Sequence, residues 1–236
     1  MAVRREETRT TVDRYPGRVR VNHWVTALSL ILLAISGAAL FHPALFFLSS
    51  FFGSGSNTRM IHPWIGVVLL ASFTILFIQM VRHNFWTKAD TEWMRHVGDA
   101  MAGREENLPE MGKYNGAQKI VFWLMTLLIL VLFASGIVIW FEYFGGSFTI
   151  EQQRLGHIVH ALAAVAMLLV VIVHIYAGFY VRGTISAMTE GKVTGGWAYR
   201  HHRLWLRKEA REGVIDERQT PPPGHGMSRP AGRPAE

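Results

Sequence analysis

The chain has no cysteine among its 236 residues. That excludes disulfides, cysteine-ligated iron–sulfur clusters and covalently attached c-type haem, and leaves any metal centre to His, Met or carboxylate side chains. Charge is also missing from long stretches. No Asp, Glu, Lys or Arg occurs from Trp24 to Phe41, Trp64 to Val81, Ile120 to Phe141, or Ile158 to Val181. A helix needs roughly 20 apolar residues to cross a hydrocarbon core about 30 Å thick, and each block has that length. The polar stripe that surface helices of a soluble bundle carry is lacking. The fold expected is therefore an all-α membrane protein, a four-transmembrane-helix bundle. The first apolar block is longer than the hydrophobic region of a cleaved signal peptide and no small-residue cleavage site follows it, so it is expected to be retained.

The net charge is +7, and its placement argues for a membrane rather than a nucleic acid. Arg4, Arg5, Arg9, Arg14, Arg18 and Arg20 precede the first span. Arg82, Lys88, Arg95, Arg104, Lys113 and Lys119 lie between the second and third. Arg182, Lys192, Arg200, Arg203, Arg207 and Lys208 follow the fourth. The two other loops hold only Arg59 and Arg154. The positive-inside rule then predicts a multi-pass protein of the bacterial inner membrane with both termini and the middle loop cytoplasmic.

Three regions are expected: an N-terminal arm (1–20), a four-helix membrane domain (21–208) with a cytoplasmic loop (82–119), and a C-terminal tail (209–236) whose Pro, Gly and Arg content predicts disorder. Proline stops the first span at His42-Pro43, and Pro63 is expected as a first helical residue of the second. The apolar stretch 44–52 is too short to span and is expected at the outer interface or against a partner. Gly53 to Asn57 reads as a flexible turn. Trp93, Val97 and Met101 are at helical spacing and predict one short helix over 90–101. Trp140, Phe141, Tyr143 and Phe144 suit an interfacial belt. The mixed aromatic and basic segment 183–208 is expected to lie along the membrane surface.

Of 11 histidines, His83, His96, His201, His202 and His225 lie in polar segments and read as surface residues. His157 points about 100° away from the face of His174. An ionisable side chain inside a bilayer is costly and usually functional, which singles out His174, set among Val171, Ile172, Val173 and Ile175. His160 precedes it by 14 positions, within roughly 40° of the same face and about 21 Å away along the helix. Two same-face histidines near opposite membrane surfaces suit two stacked haems. Matching depth supplies the opposite ligands: His23 opens the first span on the inner side with His174, and His62 opens the second on the outer side with His160. His42 lies at the same outer depth as His62, and spacing leaves that choice open. Bis-histidine haem does outer-sphere electron transfer. A zinc site needs three or four ligands at one depth, and these candidates divide between two. Ile35-Ser36-Gly37 and Ala134-Ser135-Gly136 form an internal echo, suited to close helix packing in lipid or to the accommodation of a flat macrocycle.

From about Asp13 to Trp205 the sequence resembles the gamma subunit, cytochrome b, of membrane-bound respiratory formate dehydrogenases. The resemblance rests on Arg20-Val-Asn-His-Trp24, Ser36-Gly37, Arg59-Met-Ile-His-Pro63, Gly112-Lys-Tyr-Asn-Gly-Ala-Gln-Lys119 with Phe122-Trp123, His160, His174-Ile-Tyr176, Val181-Arg-Gly183, Glu190-Gly-Lys192 and Trp197, in that order. It implies two b haems held by His23 with His174 and His62 with His160, and so selects His62 over His42. It implies menaquinone or ubiquinone bound beside the inner haem at Asn115, Ala117, Gln118 and His174. The Gly116-Ala117 order is reversed in some members. Asn115 and Gln118 can hydrogen-bond a quinone carbonyl without bringing charge into the bilayer; Asn115 also suits a helix N-cap. The partners implied are an iron–sulfur beta subunit and a molybdenum- or tungsten-containing alpha subunit, where formate chemistry occurs, besides membrane lipid and quinone and without nucleic acid. Arg18 and Arg20 read as topology signals or as propionate partners. The alternatives are a cytochrome b of a hydrogenase, thiosulfate reductase or other periplasmic oxidoreductase, and, in another class, a haem-free anchor or transporter.

Overall fold

A computed structural model describes residues 11–212. Arg4, Arg5, Arg9, His225 and the tail expected to be disordered from Gln219 lie outside the described residues. In chain order the elements are β1 (Thr11–Asp13), α1 (Gly17–Phe41), a 3-10 segment (Pro43–Phe52), α2 (Gly55–Met80), α3 (Lys88–Arg95), α4 (Val97–Met101), α5 (Gly116–Ile139), α6 (Phe141–Phe144), α7 (Ile150–Tyr180), α8 (Thr184–Thr189), β2 (Lys192–Thr194), α9 (Gly195–His201) and α10 (Arg203–Arg211). They form two compact units. One comprises Tyr15–Trp86 and Ala117–Gly191; the other joins residues up to Arg14 with Thr87–Gly116 and the segment from Lys192.

The first unit holds the four spans α1, α2, α5 and α7, each long and apolar enough to cross a membrane. Their outward faces carry side chains that water would not tolerate in such density: Leu28, Ile31, Leu127, Leu162 and Leu169 are all more than half exposed. Inward, Leu69 and Phe73 of α2, Ile129 of α5 and Met167 of α7 form a core, joined by Leu30 and Leu33 of α1. Met167 is seven residues from both His160 and His174, so this apolar plug sits midway along the bundle. Near His23, the Asn22 amide donates to the Ser72 carbonyl (2.8 Å), Ser72 Oγ donates to Asn22 Oδ1 (3.0 Å), and Thr26 Oγ1 lies 2.8 Å from Ser72 Oγ. These mutually satisfied polar groups fasten α1 to α2. On the other side Gly156 of α7 allows close approach to α5; a Cβ there would lie 2.9 Å from Val138 Cγ1.

The helix ends follow local chemistry. His42, preceding Pro43, is extended (φ −138°, ψ 132°) and closes α1. Gly53 (φ 89°) turns the chain, and Ser54 caps α2 by accepting the Asn57 N–H at 3.1 Å. The expected flexible turn at 53–57 is thus mostly the first turn of α2. Pro63 is not a first helical residue; it lies inside α2, where its missing N–H leaves the helix one bond short, a loss that transmembrane helices tolerate. Thr149 and Gln152 form a capping box for α7. Trp64, Trp140 and Tyr143 cluster with ring centroids 4.9–5.8 Å apart, at the end where the connecting loops carry little charge.

In the second unit, β1 and β2 pair antiparallel with Val12 opposite Val193, both fully buried. The Arg14 guanidinium lies 4.8 Å from the rings of both Trp197 and Trp205 and donates to the Lys113 carbonyl at 2.6 Å. Glu110 receives Arg203 at 3.2 Å and Arg207 at 2.8 Å. From Lys192 the segment packs within this unit, with Trp197, Trp205 and Leu206 buried; the two indoles cover Arg14. The tail boundary expected at 209 falls within α10. The single helix expected over 90–101 is two, α3 and α4, divided at His96 (φ −105°, ψ 19°). Trp93 is buried and Met101 exposed.

His202 corrects its reading as a surface residue. It is 1 % exposed. Its Nδ1–H donates to the Gly112 carbonyl at 2.7 Å, and its Nε2 accepts from Arg14 at 3.3 Å. Burial, then the Arg14 charge, hold its pKa well below the ordinary histidine value. The ring is thus neutral when folded and takes up a proton more readily when unfolded. Below about pH 6.5 the unfolded chain binds more protons, so this unit loses stability as the pH falls. Replacement His202→Gln is expected to cost about 1–3 kcal/mol near pH 8 and to flatten the decline between pH 7 and pH 5, read by tryptophan fluorescence during urea unfolding.

Candidate functional site

The four histidines selected from depth all lie in the first unit and form two facing pairs. His23, in the second turn of α1, faces His174, near the end of α7, with ring centroids 6.4 Å apart and planes at 47°. His62, in the third turn of α2, faces His160 of α7 at 6.3 Å and 69°. α7 contributes one ring to each pair, and the 14-residue separation sets the pairs about 21 Å apart along its axis.

The spacing within each pair has a chemical meaning. Imidazole nitrogen sits about 2 Å from a first-row metal, and the ring centre lies about 1 Å further back, so two imidazoles on opposite sides of one metal ion have centroids about 6 Å apart. Directly bonded or stacked rings would be closer. Each pair thus has a separation at which its two imidazoles could hold one metal ion between them. Among the described residues no group of three or more His, Asp or Glu is placed to hold a metal ion together. His23 Nδ1 is buried without a hydrogen-bond partner among the described residues.

The remaining histidines have other tasks. His42, the competitor of His62, accepts the Ala44 N–H at Nδ1 (3.2 Å) and caps the 3-10 segment. His157 Nδ1 lies 2.8 Å from the Gln153 carbonyl. His83 accepts from Arg82, and His96 bonds back to Glu92. Arg20 donates to the Thr189 carbonyl and Trp24 Nε1 to the Met188 carbonyl; both tie α1 to the end of α8. Gly191 (φ 84°) completes that corner, since a Cβ there would meet the Tyr15 carbonyl at 2.7 Å. Arg20 is therefore a structural brace, and Arg18 is exposed.

Two further residues touch the site, and the sequence marks them only as small residues suited to helix packing or to the accommodation of a macrocycle. Ser36 Oγ lies 2.7 Å from His62 Nδ1, and Ser135 Oγ lies 3.0 Å from His160 Nδ1. The adjoining Gly37 and Gly136 bring backbone against the same rings; a Cβ would lie 3.4 Å and 3.5 Å from their Cε1 atoms. The repeated Ser-Gly pair was the available signal. Asn115 directly precedes α5, and Ala117 and Gln118 lie in its first turn; all three are half-buried.

Four apolar spans carrying two pairs of opposed imidazoles define a membrane-embedded cytochrome of the b type. The profile of the prokaryotic cytochrome b561 family matches residues 14–191, and the chain belongs to that family. Its relatives include the formate dehydrogenase cytochrome b556(fdo) subunit of Escherichia coli, 40 % identical over 85 % of this chain and 94 % of that protein. The nitrate-inducible formate dehydrogenase cytochrome b556(Fdn) subunit of the same organism is 34 % identical over 83 % and 94 %. The formate dehydrogenase cytochrome b556 subunit of Haemophilus influenzae is 32 % identical over 85 % and 84 %. Membership implies haem b.

The two histidines at the end of α1 and the start of α2 separate cleanly by experiment. Replacement His42→Ala is expected to cost about 1 kcal/mol through the lost cap and to leave the reduced b-type α band of the purified protein at full height. Replacement His62→Ala is expected to remove about half of it.

Proposed function

We propose that this chain is the di-haem cytochrome b subunit of a respiratory formate dehydrogenase. It anchors the complex in the bacterial inner membrane and carries electrons from an iron–sulfur partner subunit to menaquinone or ubiquinone. The observation that carries the reading is the pair of opposed imidazole rings, 6.3 Å and 6.4 Å between centroids, at two levels of one bundle. The three formate dehydrogenase relatives support the choice of complex, because they are matched across nearly their whole length.

His62 and His160 hold the outer haem; His23 and His174 hold the inner one. When bound, haem would supply reversible one-electron chemistry, and two histidines holding it would suit outer-sphere electron transfer. The apolar core around Met167 separates the two levels and keeps water out between them. The basic loops support a cytoplasmic position for both termini and the middle loop, and with it a cytoplasmic His23–His174 pair. Asn115 and Gln118 donate amide N–H groups to a quinone carbonyl there, Ala117 offers backbone, and His174 lies beside the ring. The quinone takes its protons from the cytoplasm. The chain has no cysteine, so iron–sulfur clusters and the molybdenum or tungsten centre of formate oxidation belong to partner subunits.

The purified complex is expected to hold two b haems per copy of this chain, counted by the α band on dithionite reduction. A colourless chain contradicts the reading and leaves a haem-free anchor. Replacement His174→Ala is expected to remove the inner haem and abolish quinone reduction; retention of both haems refutes the assignment. Replacement Asn115→Leu is expected to slow quinone reduction at least tenfold, about 1.4 kcal/mol of lost interaction, with both haem bands intact. Unchanged quinone kinetics removes the residue from the site.

A further inference from the structure

The two pairs of rings differ in what stands behind them. In the outer pair each imidazole has a serine hydroxyl at Nδ1, 2.7 Å away for His62 and 3.0 Å for His160. Each serine is buried, Ser36 completely. A hydroxyl has one proton and two lone pairs. Ser36 directs its proton to the Leu32 carbonyl at 2.8 Å, and Ser135 directs its own to the Val131 carbonyl at 2.6 Å. Carbonyls only accept, so the oxygen is left to receive the Nδ1–H of the histidine. That bond places the ring proton on Nδ1 and leaves the Nε2 lone pair free. In the inner pair, His23 Nδ1 is buried with no hydrogen-bond partner among the described residues.

We propose that Ser36 and Ser135 are positioning residues for the outer haem. They fix the Nδ1–H tautomer and the rotation of His62 and His160, and they lower the reduction potential of the outer haem relative to the inner one. An acceptor on the Nδ1–H makes an imidazole more electron-rich, which favours the ferric over the ferrous state. Two such bonds act on the outer iron, whereas at the inner level His23 Nδ1 has no partner among the described residues. The resulting order, low outside and higher inside, favours electron movement from the outer to the inner level. Gly37 and Gly136 adjoin the same rings, where a Cβ would lie at contact distance from the Cε1 atoms, 3.4 Å and 3.5 Å. The repeat in α1 and α5 is thus a pair of equivalent ring supports, one for each outer ligand.

This inference rests on the di-haem reading and is tested on the intact complex by potentiometric titration of the b-type α band, with low-temperature electron paramagnetic resonance of the oxidised haems. The component lost in His62→Ala identifies the outer haem. In Ser36→Ala and in Ser135→Ala the outer component is expected to move to higher potential and its largest g value to change, further in the double variant, while the inner component stays where it was. Ser36→Thr and Ser135→Thr keep a hydroxyl and are expected to restore the original potential. An outer potential unmoved in both alanine variants, or a common drift of both components, overturns the proposal. If an alanine variant loses the outer haem, retention by the threonine variant supports the proposal, and equal loss by both overturns it as a packing effect. A wild-type complex with no haem rejects the di-haem reading itself, whatever the serine variants show.

Discussion

An imidazole inside a bilayer has to be satisfied by something other than water, and four of them are arranged here so that each can share one metal ion with another. That requirement organises the first unit. α7 carries a ring at each level, so its rigid rise fixes the distance between levels. α1 and α2 each supply one opposing ring, and they must hold their register against α7 to within a fraction of a turn. The Asn22–Thr26–Ser72 cluster locks α1 to α2 beside His23. Gly156 locks α7 to α5 near the other level by letting the backbones approach. Between the levels lies an apolar cluster around Leu69, Ile129 and Met167. Polar fastening occurs near the rings and dispersion fills the middle, as a bundle in lipid needs when the hydrophobic effect cannot drive helices together.

The second unit solves the opposite problem. Its chain is rich in charge, yet it buries Arg14, Asp90 and His202. Each burial is accompanied by specific partners. Arg14 has two indole faces and a carbonyl; Asp90 receives the Thr87 N–H and hydroxyl; His202 sits between Gly112 and Arg14. A buried cation of this kind costs desolvation that only such dense pairing offsets. The unit brings together three distant stretches of chain, so the partners of Arg14 span nearly the whole described sequence.

Much of the first unit was legible in the sequence because lipid imposes a simple rule on composition. Length without charge marked the four spans, and helical geometry put His160 and His174 on one face. The choice between His42 and His62 was not legible from spacing. It turns on Pro43, which ends α1 one residue earlier and leaves His42 to cap the next segment, while Ser54 starts α2 early enough to carry His62 well inside a helix. Pro63 misled because proline is common at helix starts, whereas a long membrane helix absorbs one missing bond. Ser36 and Ser135 were seen as a repeat but not as supports, since a serine in an apolar span gives no sign of which ring it faces. The burial of His202 was not legible because local composition cannot show that it meets Gly112 and an arginine from the other end of the chain.

The same physics explains why residues at the rings say so little about which oxidoreductase this chain serves. Bis-histidine ligation in an apolar bundle supports only outer-sphere transfer, and any donor of suitable potential at the outer level can use it. Selectivity for a partner must then reside in surfaces away from the rings, where composition is free to differ among relatives of one fold. A short ligand motif cannot carry that information, but identity maintained over nearly the whole of a relative can, because it includes those surfaces. The 40 % identity across 94 % of a formate dehydrogenase subunit therefore bears on the partner, while the paired rings bear on the chemistry, and the proposed function needs both.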